Sequence, residues 1–173
     1  MNQQERFYNV LRSFSNAMFI SNGENGLHAR PMTVAEVDHE ADAVWFVTSM
    51  NNTAVEELKR DPDVSVAFQG QLKFASLTGY AEVMIDPDRV EKLWSEAWRI
   101  WFPEGKESSD LVLLKVQALH GEYWDMSGVE GVGFLYKAVR AYLEGNEMSV
   151  GKDINGRLSF INGDTSAETT ASA

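Results

Sequence analysis

The feature that most constrains this fold is a series of apolar runs of about strand length, which follow one another with short turns between them. Apolar runs rich in Val, Phe and Thr and bounded by Gly, Asn or Asp are typical of β-strands in hairpins. The segment 63–85 holds two strands joined near Gly70, with a bulge expected at Gly79, and the last run is a strand pair or one long bent strand. The last run is LVLLKVQALHGEYWD (111–125), and the other runs are NAMFIS (16–21), LHARPMTVAEV (27–37) and AVWFVTS (43–49).

Helical spacing interrupts these strands only occasionally. Apolar residues three and four apart predict helices over 7–14, 53–60 and, for three turns, 86–101. A last amphipathic helix is predicted over GFLYKAVRAYLEG (133–145). Because successive strands with few helices do not suit a doubly wound parallel sheet, the pattern favours a mainly β fold, a closed antiparallel barrel with peripheral helices.

The composition is that of one globular domain. The chain has 173 residues, 44% of them hydrophobic and 24% charged, so we expect a single domain over 1–162 and a disordered tail over 163–173. The net charge of −11 argues against nucleic acid and anionic membranes as partners. Since cysteine, a signal-peptide pattern and an apolar stretch of about 18 residues are all absent, a cytoplasmic protein is predicted.

The triplet Arg30-Pro31-Met32 lies inside a predicted strand. Proline removes a ladder hydrogen bond, so this part of the strand is expected at an edge or a bulge. Such a break can expose the arginine fork to a ligand phosphate. The alternative is a surface arginine beside an irregular strand.

The stretch TSMNNTAVEEL (48–58) leads from a strand into a helix and has the layout of an anion cradle, because a helix N-terminus offers free N–H groups. It contains no Lys or Arg before Lys59. Thr53 and Glu56 have the spacing of a capping box, in which each side chain binds the other residue's backbone amide. Taken by itself, the motif is interpreted as a structural cap rather than a phosphate site.

Trp94, Trp98 and Trp101 form a stripe at helical spacing, which is typical of a core-facing helix. Trp101 and Phe102 lie where that helix is predicted to end, so their side chains can reach a ligand or a second subunit. The three histidines lack the spacing of a metal site, and no GxSxG, GxGxxG or P-loop pattern is present. The chemistry is therefore that of a bound cofactor, or there is none.

Seven segments in this order resemble the general stress protein branch of the pyridoxamine 5'-phosphate oxidase-like FMN-binding split barrels, over residues 3–145. The tryptophan segment with WFPEG, followed by LVLLKV and YWD, is the specific part. The segments are Arg30-Pro31-Met32, WFVTS (45–49), DPDVSVAFQ (61–69), SLTGYAEV (76–83), LWSEAWRIWFPEG (93–105), LVLLKV (111–116) and EYWD (122–125).

The resemblance implies a six-stranded antiparallel split β-barrel that forms a homodimer, with FMN bound at the subunit interface. By this resemblance, the flavin and its phosphate arm are contacted by Arg30, Pro31 and Met32. The ring and the ribityl chain lie along Val47, Thr48 and Ser49, and the phosphate is held by Asn52, Thr53 and Ala54. The other subunit contributes Trp101 and Phe102.

The chain departs from the family at the phosphate. Family members commonly carry a Lys, and the true oxidases an Arg-Lys pair, at positions that align with Thr53 and Ala54. The loss of one charge-assisted contact weakens FMN binding about tenfold to a hundredfold, which leaves more of the phosphate binding to Arg30. The basic C-terminal residues with which true oxidases hold their substrate are also missing, so the chain is not predicted to be a pyridoxamine phosphate oxidase.

The leading hypothesis is therefore an FMN-binding protein of the general stress type, with weak FMN binding and a flavin-dependent oxidoreductase activity to be tested. Related barrels accommodate other planar cofactors, so a deazaflavin or a haem is an alternative to FMN. Two alternatives concern function: a non-catalytic flavin-binding or sensing module, and a cofactor-free split-barrel dimer.

Overall fold

The structure is a computed structural model and describes residues 1–127, 140 and 155–161. The helices of this part of the chain are α1 (Gln3–Leu11), α2 (Thr53–Arg60) and α3 (Pro87–Leu93), with two 3-10 turns at Glu96–Ile100 and Gly105–Glu107. The strands are β1 (Asn16–Gly23), β2 (Gly26–Asp38), β3 (Ala43–Ser49), β4 (Asp63–Gln69), β5 (Lys73–Met84), β6 (Leu111–Asp125) and β7 (Asn155–Ser159).

Six of these strands close into an antiparallel barrel. The strand order is β3-β2-β1-β4-β5-β6-β7, and β3 also pairs with β6, which closes the barrel. The residues Leu111–Gln117 of β6 pair with β3 and the residues His120–Trp124 pair with β7. The predicted barrel is confirmed, and the run 111–125 is one long strand rather than a strand pair.

Gly79 lies at an irregularity between β5 and β6, as predicted. The register shifts between Thr78 and Gly79. A Cβ added at Gly79 would lie 1.9 Å from the carbonyl oxygen of Gln117, inside the strand ladder. A side chain would therefore push β5 away from β6, and only glycine fits here without a shift.

The barrel interior holds the main core, and a second apolar cluster covers the outer face of β3 and β6. Six consecutive residues of β3, Ala43–Thr48, are buried, because one face looks into the barrel and the other meets this second cluster. Phe46 belongs to the interior core, whereas Trp45 and Val47 pack with Trp98 and Phe102. The tryptophan segment is thereby held against the end of β3.

The predicted helix over 86–101 is wrong in its second half. α3 ends at Leu93, and the backbone leaves the helical region at Trp94 and Ser95, with ψ values of 129° and 133°. The Ser95 side chain then accepts from the backbone N–H of Ala97 and starts a 3-10 turn. Serine competes with a continuing helix in this way, because its hydroxyl offers the backbone an alternative partner.

Two predicted segments fall on residues that the structure does not describe. The helix over 133–145, apart from Arg140, and the tail over 163–173 lie outside the described residues. Among the helices that are described, none has the length and apolarity that crossing a membrane requires.

Candidate functional site

A cavity of about 480 Å³ opens where β2 separates from β3. Thr33 pairs with Val47 at the end of the β2–β3 ladder, and among the described strands the part of β2 before it pairs only with β1. Pro31 lies on this unpaired edge, which confirms the prediction for proline in this strand. The tryptophan segment, through Trp101 and Phe102, lines the same cavity.

The lining combines apolar side chains with polar groups, of which one is charged. One set consists of apolar and aromatic residues, the other of hydroxyls, amides and one carboxylate. Such a lining suits a ligand with a planar apolar part and a polar chain. The first set is Pro31, Met32, Val47, Trp101 and Phe102, and the second is Asn16, Thr33, Thr48, Ser49, Asn52 and Asp110.

Asp110 organises the polar end of the cavity. Its carboxylate accepts from Ser49 Oγ at 2.9 Å and from Ser108 Oγ at 2.7 Å. These two hydrogen bonds, that of Ser108 first, lower the pKa of Asp110. The group is therefore a carboxylate at neutral pH, and it gives this end of the cavity a negative charge.

α2 begins next to this polar end, but its cap differs from the predicted capping box. The N-cap is Asn52, whose side chain accepts from the backbone N–H of Ala54 at 2.9 Å. Thr53 is the first helical residue, and the Glu56 carboxylate pairs with Lys59. The predicted Thr53–Glu56 box is wrong because Asn, a strong N-cap residue, occupies the preceding position.

Arg30 turns away from the cavity and binds a buried carboxylate. Its Nη2 lies 2.5 Å from Glu57 Oε2, and its Nη1 donates to Ser21 Oγ at 2.8 Å. Ser21 Oγ in turn donates to Glu57 at 2.6 Å, and His28 Nδ1 lies 2.8 Å from Glu57 Oε1. Only 11% of the Arg30 side chain and 7% of the Glu57 side chain are exposed. We call these four residues the Glu57 network.

The Glu57 network keeps its carboxylate ionised. Burial by itself raises the pKa of Glu57, but hydrogen bonds from Ser21, His28 and Arg30 outweigh it and lower the pKa to about 2. A charge in a low-dielectric site needs such partners. The arginine is therefore part of an internal ion pair with near-complete burial.

Eight of the predicted cofactor-binding residues line the cavity, and three do not. Arg30 belongs to the Glu57 network, Thr53 borders a separate depression beside the β1–β2 hairpin, and Ala54 is fully buried in the core. Their contact with a cofactor stays a prediction. The eight in the lining are Pro31, Met32, Val47, Thr48, Ser49, Asn52, Trp101 and Phe102.

Sequence reasoning missed three lining residues. Asn16, Thr33 and Asp110 were not predicted, although Thr33 directly follows the Arg30-Pro31-Met32 triplet and Asp110 directly precedes β6. Trp101 and Phe102 line the cavity of their own chain, and their contact with the cavity of a second subunit stays a prediction. Among the described residues, no three His, Asp or Glu side chains are grouped as metal ligands.

The split between β2 and β3, with a cavity at its mouth, can now be compared with known proteins. A family model described as pyridoxamine 5'-phosphate oxidase like matches residues 2–149. The chain belongs to this family. No curated protein matches it.

Solved structures place the chain in the general stress branch of the family. A general stress FMN/FAD binding protein from Xanthomonas citri is 34% identical, with 70% of this chain and 87% of that chain covered and a TM-score of 0.62. A protein from Clostridium acetobutylicum, related to general stress protein 26 of B. subtilis, is 25% identical with the same coverage and TM-score. A candidate general stress protein 26 from Jannaschia sp. matches 90% of this chain and 97% of its own with a TM-score of 0.71; at 24% identity this likeness shows the fold alone.

Proposed function

We propose that this protein binds a flavin in the cavity at the mouth of the β2–β3 split, with FMN as the form expected of its family. The lining is the observation that carries the proposal. An apolar wall and a row of polar side chains, all uncharged except Asp110, meet in one cavity of about 480 Å³. The FMN/FAD binding printed for the Xanthomonas citri relative supports the same ligand class.

The residues present fit two of the three parts of FMN. Met32, Val47 and Trp101 offer apolar surface for an isoalloxazine ring, while Thr48 and Ser49 offer hydroxyls for a ribityl chain. The phosphate has no such partner. None of the described lining residues is a Lys or an Arg, and the one charged group among them is Asp110.

We further propose that the flavin-bound protein is an oxidoreductase. A bound flavin supplies hydride or electron transfer, and the chain supplies position and environment. Trp101 lines the cavity with an exposed fraction of 59%, which places it at the cavity entrance, and the adjacent Phe102 is buried in the second cluster. The alternatives are a binding or sensing module without turnover and a cofactor-free dimer.

We also propose that the protein is a homodimer whose interface includes this entrance. Ile100 and Trp101 are adjacent, apolar and exposed to 76% and 59%. The edge of β2 beside them has no ladder partner before Thr33 within the part of the chain that the structure describes. Large exposed apolar side chains next to an open strand edge are typical of an association surface.

Flavin titration tests the binding proposal. We expect FMN or riboflavin fluorescence to be quenched with saturation, and the melting temperature to rise with flavin concentration, because a ligand that binds the folded state stabilises it. Trp101→Ala should weaken binding about tenfold. Leu72→Ala, an exposed apolar position that neither lines the cavity nor belongs to the proposed interface, should leave it unchanged. Absence of quenching and of any thermal shift at saturating flavin would refute the proposal.

Turnover separates the enzyme from the binding module. If the flavin-loaded protein is an oxidoreductase, it oxidises NADH or NADPH in the presence of a suitable acceptor, and Trp101→Ala slows this reaction. A flavin-loaded protein that oxidises neither nucleotide with any acceptor offered favours the module.

A further inference from the structure

The charges around the cavity differ from those that a phosphate ester requires. Phosphate-binding sites in proteins rely on Arg or Lys, or on free amides at a helix N-terminus. The described lining has no cation, and its polar end holds the Asp110 carboxylate, which accepts from Ser49. A dianionic phosphate at this end would meet a negative charge and, among the described lining residues, no compensating positive one.

The nearest arginine along β2 is not available to replace that cation. Arg30 directly precedes the lining residue Pro31, yet its guanidinium pairs with Glu57 and Ser21 and is nearly buried. To reach a ligand it would leave a buried carboxylate without its main partner, which is a large cost. The exposed cations of α2, Lys59 and Arg60, lie in its last turn and pair with Glu56 and Glu24.

The start of α2 is also largely occupied. The N–H of Ala54 is bound by the Asn52 side chain, and the N–H of Val55 donates to the Asn52 carbonyl at 3.0 Å. Ala54 itself is fully buried, so no side chain extends from that position into the cavity. The free amides that form an anion site at a helix N-terminus are thus mostly engaged within the protein.

We infer that the cavity recognises the ring and the ribityl hydroxyls of a flavin but not a terminal phosphate, so that a phosphate-free flavin such as riboflavin binds at least as tightly as FMN. This inference rests on the proposed flavin binding. The negative charge of Asp110 disfavours a ligand that carries a phosphate. Thr48 and Ser49 offer hydroxyls to the ligand whether or not it carries one.

The test compares ligands that differ only in the phosphate. The full chain is titrated with FMN and with riboflavin at neutral pH, where the phosphate carries nearly two charges. We expect riboflavin to bind between equally and about tenfold more tightly than FMN at low ionic strength. Raising the salt to about 0.5 M should narrow the difference, since the repulsion is then screened.

Asp110→Asn supplies the matched variant, because an amide has nearly the same shape and can still bond to Ser49 and Ser108. We expect FMN binding to tighten about threefold to tenfold, with riboflavin changed by less than about twofold. Glu82→Gln is the control, since this exposed carboxylate of β5 does not line the cavity. It removes one charge from the protein and should change neither affinity.

The outcomes are distinguishable. FMN binding more than about threefold tighter than riboflavin, or an affinity ratio that Asp110→Asn does not change, overturns the inference and leaves the proposed flavin binding intact. Failure of both flavins to bind overturns the proposed function itself, and the inference with it.

Discussion

Arg30 Nη2 and Glu57 Oε2 are 2.5 Å apart, in a pair that is nearly closed to solvent and links β2 to α2. The resemblance assigned Arg30 to a flavin phosphate, whereas its guanidinium here neutralises an internal carboxylate. Arg30 thus pairs with Glu57 of the protein itself, whereas the family resemblance implied that Arg30 contacts the phosphate of the ligand. The two roles make opposite predictions for a substitution at Arg30.

Replacing Arg30 with Met should destabilise the protein by about 3–5 kcal/mol, because it leaves the buried Glu57 carboxylate without its cation. Urea denaturation measures this. Arg60→Met is the matched control: its ion pair with Glu24 is exposed, so its removal should cost less than about 1 kcal/mol. Flavin affinity of the folded Arg30→Met protein should stay within about threefold of wild type. A loss of FMN binding, with riboflavin binding unchanged, would instead establish Arg30 as a phosphate anchor.

The same network predicts a pH dependence of stability. The pKa of Glu57 is lowered from 4.5 to about 2 in the folded protein. A lowered pKa means that the folded state favours the carboxylate, so this contribution is complete above pH 4.5 and is lost as the pH falls towards 2. It is on the order of 3 kcal/mol at neutral pH.

The measurement for Glu57 compares the free energy of unfolding of wild type and Glu57→Gln between pH 7 and pH 2. The difference between the two proteins should be constant at high pH and shrink below about pH 4.5. Glu56→Gln, whose carboxylate forms an exposed pair with Lys59 on the same helix, should show little such change. A difference between wild type and Glu57→Gln that is independent of pH would contradict the assigned pKa.

Because the N-cap of α2 is Asn52 and not Thr53, substitutions at these two residues should have different effects on stability. Asn52→Ala removes the acceptor for the Ala54 N–H and should destabilise the protein by about 1 kcal/mol. Thr53→Ala, at the first helical position, should be within about 0.5 kcal/mol of wild type. Thermal or urea unfolding measures both. A larger loss of stability for Thr53→Ala than for Asn52→Ala would instead support the Thr53–Glu56 capping box.

The barrel could be predicted from the sequence because its strands carry local signals. Apolar runs with short turns indicated a closed antiparallel barrel, and Pro31 and Gly79 marked an edge and an irregularity for steric reasons that act within a few residues. β7 was missed because the segment Asn155–Ser159 is short and buries mainly Leu158. The break before Ser95 was missed because the tryptophans keep helical spacing across it.

The cavity was predicted in part. Its other contacts could not be predicted because the interacting groups lie far apart along the chain. Most lining residues came from the resemblance. Asp110 reaches Ser49 from 61 positions away, once β3 and β6 have paired. Glu57 is 27 positions from Arg30, so the direction of the arginine side chain depends on how α2 packs against the barrel. No local pattern in the sequence carries either relationship.

Exposed apolar residues at the cavity entrance predict the oligomeric state. If Ile100 and Trp101 lie in a dimer interface, the wild-type protein sediments as a dimer and Ile100→Asp shifts it towards monomer, because a buried, unpaired carboxylate is costly. Sedimentation velocity over a range of concentrations measures the shift. Leu72→Asp, an exposed apolar residue that does not line the cavity, is the control and should leave the dimer intact. Because the proposed interface includes the entrance, Ile100→Asp should also weaken flavin binding; a wild-type monomer that binds flavin with unchanged affinity at all concentrations would contradict a shared site.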